Sequence, residues 1–210
     1  MVTEKTLGLP AYPALGASAN DSGFTLVELL TILAVTGIIA ALAISAFSST
    51  YSDVCLKSVM CDLGCMINEA KQNALDGRYY AIGFRPDHGT IMLITEKGAD
   101  GKWNTSDDEV KRTVRLKDKG GGLGFGYGGC GPVPELAATK SGTTFQNNTL
   151  VCNPQLTGSP GTVYIRSGNG SAMALTMNTH DFDYSLRICK GKSWTELKNA
   201  SFRVGQILTQ

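Results

Sequence analysis

Ser22-Gly23-Phe24-Thr25-Leu26-Val27-Glu28-Leu29-Leu30 opens an apolar run that continues to Phe47, and Glu28 is the only charged residue in it. The run is about 24 residues, so as a helix it is roughly 36 Å long, enough to cross a bilayer. A carboxylate inside such a span costs on the order of 2.5–3.5 kcal/mol at mid-membrane and less near an end. A charge tolerated at that cost marks a functional position, and its natural partner is a cation from outside the segment. The spacing names one. A cut between Gly23 and Phe24 leaves a new α-ammonium four residues before Glu28, within reach in one chain or between neighbouring spans.

Gly23-Phe24-Thr25-Leu26-Val27-Glu28-Leu29 resembles the prepilin-peptidase recognition site of type IV pilins and type II secretion pseudopilins. The resemblance implies cleavage after Gly23, N-methylation of Phe24, and pairing of Glu28 with a neighbour's terminal amine during assembly. It implies a single pass of the bacterial inner membrane with the C-terminal domain in the periplasm. Its implied partners are a prepilin peptidase, an inner-membrane assembly platform and other pilins or pseudopilins. The leader, residues 1–23, departs from the family pattern: Asp21 and Ser22 stand beside the cut, and Lys5 is its only basic residue. A secretory signal peptide has a shorter apolar core, a basic start and a small-residue cut site after that core, and none of these fits.

Beyond Phe47 the pattern turns amphipathic. Leu56, Val59, Met60, Leu63, Met66, Ile67, Ala70, Ala74 and Leu75 recur at three- and four-residue steps, and Gly77 follows as a helix stop. From Tyr79 the period shortens. Runs at 79–84, 90–95, 110–116, 162–166, 172–177 and 184–189 read as strands separated by turn residues. The expected fold is α+β: a long N-terminal helix, with a membrane half and an amphipathic half, packed on an antiparallel β-sheet or small β-sandwich. The organisation reads as leader 1–23, assembly half 24–47, amphipathic half 48–77 and globular domain 78–210. This plan is that of the minor, H-like (FimT-like) pseudopilins, and the motif-level resemblance covers residues 22–47.

Four further features carry chemistry. Six cysteines outside the cytoplasm favour disulfides, either from the helix to the domain or among Cys130, Cys152 and Cys189. Cys61 and Cys65 share a helix face and bond to each other only with backbone distortion. The segment 100–109 reads first as a solvated hairpin tip; its oxygen ligands in Asp100, Asn104, Asp107 and Asp108 also make it a calcium candidate, because some pseudopilins hold that ion in a related loop, though its spacing is not an EF-hand's. Arg187, Lys190 and Lys192 form a small basic cluster that resembles an incomplete form of the DNA-contacting stretch of some uptake pilins. A net charge of +1 argues against a polyanion ligand. The glycine-dense segment 119–131 lacks the phosphate-loop pattern and reads as a flexible or hairpin loop. His88 and His180 sit in turn-like sequence and no nucleophile elbow is present, so no enzymatic activity is expected. The expected function is a minor pilin or pseudopilin. The alternatives are a DNA-binding minor pilin and a membrane-anchored β domain with no assembly role.

Overall fold

The computed structural model describes residues 24–134, 136, 138–139, 141–155, 158–178 and 184–197. Helix α1 (Leu26–Leu75) is 50 residues long. The chain divides into two compact units, one up to Leu42 and one from Ala43 onward.

In the first unit every described side chain of α1 is exposed. The best 18-residue window of the helix has a mean hydropathy of 2.4 and none of it is buried. A stretch this apolar, with no protein over it, requires lipid or other spans as its solvent. Its hydroxyls fit that setting: Thr31 Oγ1 donates to Val27 O at 2.6 Å and Thr36 Oγ1 to Ile32 O at 2.8 Å. Both polar groups are thereby satisfied within the helix, as a hydrocarbon surrounding demands.

In the second unit, α1 buries one face against two antiparallel sheets. The first has strand order β3-β2-β1-β5, from β1 (Tyr80–Arg85), β2 (Thr90–Glu96), β3 (Glu109–Arg115) and β5 (Thr149–Cys152). The second has order β4-β6-β7-β8-β9, from β4 (Gly124–Phe125), β6 (Gly161–Arg166), β7 (Ala172–Met177), β8 (Tyr184–Lys190) and β9 (Ser193–Glu196). Side chains alternate across each strand, so Ile82 and Phe84, Ile91 and Leu93, Val163 and Ile165, and Met173 and Leu175 all enter one core with Leu56, Val59, Met60, Leu63, Met66 and Ile67 of α1. Leu75 departs from the predicted stripe and is 63% exposed, at the last turn where α1 ends.

The opposite faces of the sheets are covered as well, the first by a loop and the second by loop residues and Trp194 of β9. Trp103 packs with Ala81, Met92, Ile94 and Val151 on the first sheet. Tyr127, Val133 and Trp194 pack with Tyr164 and Ala174 on the second. The six expected strands are present within a residue or two at each end; β4, β5 and β9 are additions that sequence did not signal.

The glycine-dense segment has a structural task in place of a flexible one. Gly121 has φ +65° and passes so close to α1 that an added Cβ lies 2.8 Å from Cys55 Cβ and 3.2 Å from Ser52 Cα. At Gly122 the same test meets Gly168 Cα at 2.9 Å. Only residues without a side chain let the helix, this segment and the β6–β7 turn approach so closely. Asn169 completes the junction: its amide donates to Asp53 Oδ1 at 2.8 Å and to Ser49 O at 3.1 Å, while its carbonyl accepts from Ser171 N and Ser167 Oγ.

Candidate processing and assembly site

Helix α1 begins where sequence places its first turn. Thr25 is the residue before the helix, and its Oγ1 accepts a hydrogen bond from Glu28 N at 3.3 Å. Thr25-Leu26-Val27-Glu28 is therefore the Ser/Thr-x-x-Glu pattern of a helix start, with Thr25 satisfying one of the unpaired N–H groups of the first turn. Glu28 is the acidic residue of that turn, so the positive end of the helix dipole offsets part of its cost near the start of the span. Thr25 was legible from this spacing and was missed. Phe24 is 77% exposed. Glu28 is also exposed, and among the described residues it has no ion-pair partner. Gly23 lies outside the described residues. The site thus presents a carboxylate one turn into an uncovered apolar helix, four residues beyond the proposed new terminus.

The carboxylates of the 100–109 segment are turned inward on their own loop. Asp108 accepts from Gly98 N at 3.1 Å and Thr105 N at 2.9 Å; Asp107 accepts from Thr105 Oγ1 at 2.8 Å and Asp100 N at 3.3 Å; Asp100 accepts from Lys102 N at 2.8 Å. The Thr105 hydroxyl bond holds the Asp107 carboxyl below its ordinary value. Asn104, at φ +68°, accepts from Arg85 Nε and donates to the carbonyls of Phe84 and Asn148, which folds the loop back over the first sheet. Among the described residues no group of three or more His, Cys, Asp or Glu is placed to hold a metal ion.

Strand parity separates the basic cluster. Arg187 and Lys190 are three apart on β8 and fall on opposite faces, while Lys192, at φ +76°, sits in the turn to β9. Arg187 lies 3.9 Å from Glu196 across the β8–β9 pair. Of the cysteines, Cys130 and Cys189 form a disulfide, while Cys55, Cys61, Cys65 and Cys152 are free. The expected set of bonding cysteines thus contains the observed pair, and no described bond joins the helix to the domain. Burial pushes the Cys152 thiol up to about 12. His88 closes a 3-10 turn, and His180 lies outside the described residues.

Comparison with known proteins singles out the first of these features. The family model described as the prokaryotic N-terminal methylation motif matches residues 18–44, which contain Gly23, Phe24 and Glu28. Among solved structures, the chain is similar to the minor pseudopilin EpsH from the type 2 secretion system of Vibrio cholerae. One structure of it is 14% identical with a TM-score of 0.40, covering 66% of this chain and 99% of that one. A second is 15% identical with a TM-score of 0.41, covering 63% and 92%. No sequence among curated proteins matches the chain. The matched methylation motif thus contains Gly23, Phe24 and Glu28 and runs into the apolar half of α1.

Proposed function

We propose that this protein is a minor pilin or pseudopilin of the H-like class, made as a membrane-inserted precursor. A prepilin peptidase cuts it after Gly23, Phe24 is N-methylated, and the mature chain enters a short periplasmic pseudopilus or a pilus tip. Glu28 receives the Phe24 ammonium of a neighbouring subunit, which removes both charges from lipid together and sets the axial register of the spans. One observation carries the reading: the methylation motif lies over the uncovered apolar stretch of α1, whose only charge is Glu28 in the first turn, and the same helix continues as the core helix of a β domain.

Intact mass and N-terminal peptide mapping of the protein from its native membrane test it. The expected result is a chain that starts at N-methyl-Phe24. Retention of residues 1–23 in a host with an active prepilin peptidase turns the span into a simple anchor and removes the role given to Glu28.

A further inference from the structure

Two hollows meet at Trp103, which packs on Ala81, Met92, Ile94 and Val151 of the first sheet. The first is charged. Arg78, Glu96, Lys97, Glu109 and Lys111 line it, and Lys97 Nζ lies 5.3 Å from the centre of the Trp103 ring. The second hollow differs in kind. It measures about 610 Å³, within the ~300–1,000 Å³ of small-ligand sites. Among the described residues Lys102 is the only ionic side chain that lines it, beside Trp103 and a set of amides and hydroxyls.

The walls of this second hollow are fixed before anything binds. Asn147 and Asn148 stand at φ +52° and +51°, in the left-handed region that asparagine enters more readily than most residues. The Asn104 amide holds that turn, donating to the carbonyls of Asn147 and Asn148 at 3.5 and 3.3 Å and to that of Phe84. Arg85 in turn donates to Asn104 Oδ1 and Thr105 O. The Trp103 loop and the turn at 146–148 are thereby tied together, which leaves little to be ordered when a ligand arrives. Three polar side chains stay uncommitted. The amides of Gln146 and Asn147 and the ammonium of Lys102 line the hollow, belong to exposed residues, and make no hydrogen bond or ion pair among the described residues.

Chemistry narrows the ligand. A cation finds no carboxylate in the described lining, and a polyanion finds one ammonium. An added peptide strand finds no edge, because β5 already bonds the chain beside it: Val151 N donates to Ser159 Oγ, and Ser159 N donates to Val151 O. A side-chain amide carries donor and acceptor on one group, which matches a hydroxyl, and an indole ring presents a negative face to C–H bonds. A sugar ring offers both, hydroxyls around its rim and C–H groups on its face. We propose that the hollow between Trp103 and the Gln146–Asn147 turn binds an uncharged oligosaccharide. Gln146, Asn147 and Lys102 bond its hydroxyls, and Trp103 meets one ring face. This activity is separate from the assembly role and does not depend on it.

Full-length protein in lauryldimethylamine oxide micelles, which contain no sugar, is titrated with maltotriose, cellotriose and triacetylchitotriose and followed by saturation-transfer difference NMR. At least one sugar should receive saturable transfer that empty micelles do not give, strongest at its ring C–H protons, with a Kd on the order of 1 mM or tighter. Loss of one hydrogen-bonding amide weakens binding by roughly 2–10-fold. Gln146→Ala and Asn147→Gly should each lower the affinity by that factor; both residues are exposed, and glycine keeps the positive φ of the second. Lys97→Ala changes only the first hollow and should leave the affinity as it was. No saturable transfer to any of the three sugars overturns the proposal. So does unaltered affinity in both amide variants, or stronger transfer to tetra-alanine than to every sugar.

Discussion

The junction of α1 with the glycine segment allows a contact to be separated from a backbone preference. Gly121 and Gly131 have nearly the same φ, +65° and +71°, but Gly121 touches the helix while nothing lies within 4 Å of a Cβ at Gly131. Replacing either by alanine forces an L-residue into the left-handed region, which costs about 1–2 kcal/mol. Only Gly121→Ala also drives a methyl group to 2.8 Å from Cys55 Cβ and 3.2 Å from Ser52 Cα. Ser52 Cα is backbone of a helix packed on two sheets and does not yield easily, so overpacking adds about 1–3 kcal/mol. For a domain of this size each kcal/mol shifts the melting temperature by roughly 2–4 °C. Gly121→Ala should therefore melt roughly 2–12 °C below Gly131→Ala, measured by near-ultraviolet circular dichroism of the detergent-solubilised full chain. Equal melting temperatures for the two variants would refute the reasoning that the glycines are there for close approach.

Three further outcomes are expected. Glu28→Ala should still be cleaved, yet its content in the assembled fibre should fall at least ~100-fold, because removing one partner of a buried ion pair costs about 3–5 kcal/mol; immunoblots of sheared fibres that show normal content contradict this. Replacing Cys130 and Cys189 by serine opens a link between residues 59 apart in sequence, for which chain entropy predicts a loss on the order of 4 kcal/mol; a change in urea unfolding below about 1 kcal/mol is inconsistent with it. Cys152 is neutral when folded up to about 12 but ionises near 9.0 when exposed, so its contribution is complete below pH 9 and is lost as pH rises through that window. At pH 10 that loss is about 1.4 kcal/mol relative to pH 7.5, and Cys152→Ala should show a correspondingly smaller decline in urea midpoint between the two; an identical decline means that the thiol plays no part.

Patterns with a single physical cause were readable in the chain. The bilayer-length run, the three-and-four repeat through Leu56 to Ala74, and most strands each follow from burial on one face or on all faces. β5 was hidden because Thr149-Leu150-Val151-Cys152 is short and follows two asparagines with positive φ. The glycine segment was misread because composition records that glycine is permissive but not what it permits, here contact with Ser52 and Gly168. The carboxylates at 100–109 stood out by density alone, and their hydrogen bonds to amides of their own loop could not be read from composition. At the start of α1 the reverse happened. Glu28 drew notice for its charge, and Thr25, three residues earlier, passed unread although the pair is a local signal.

Both sheets of the domain are roofed. A loop carrying Trp103 closes one outer face, and Tyr127, Val133 and Trp194 close the other. The first sheet is thus covered by a loop, and the second by loop residues together with Trp194 of its own edge strand β9. Such a molecule can change its skin without touching its skeleton. Lengthening or rewriting the loop between β2 and β3 alters what the domain displays, while α1 and the strands keep the same core and the same exit for the helix.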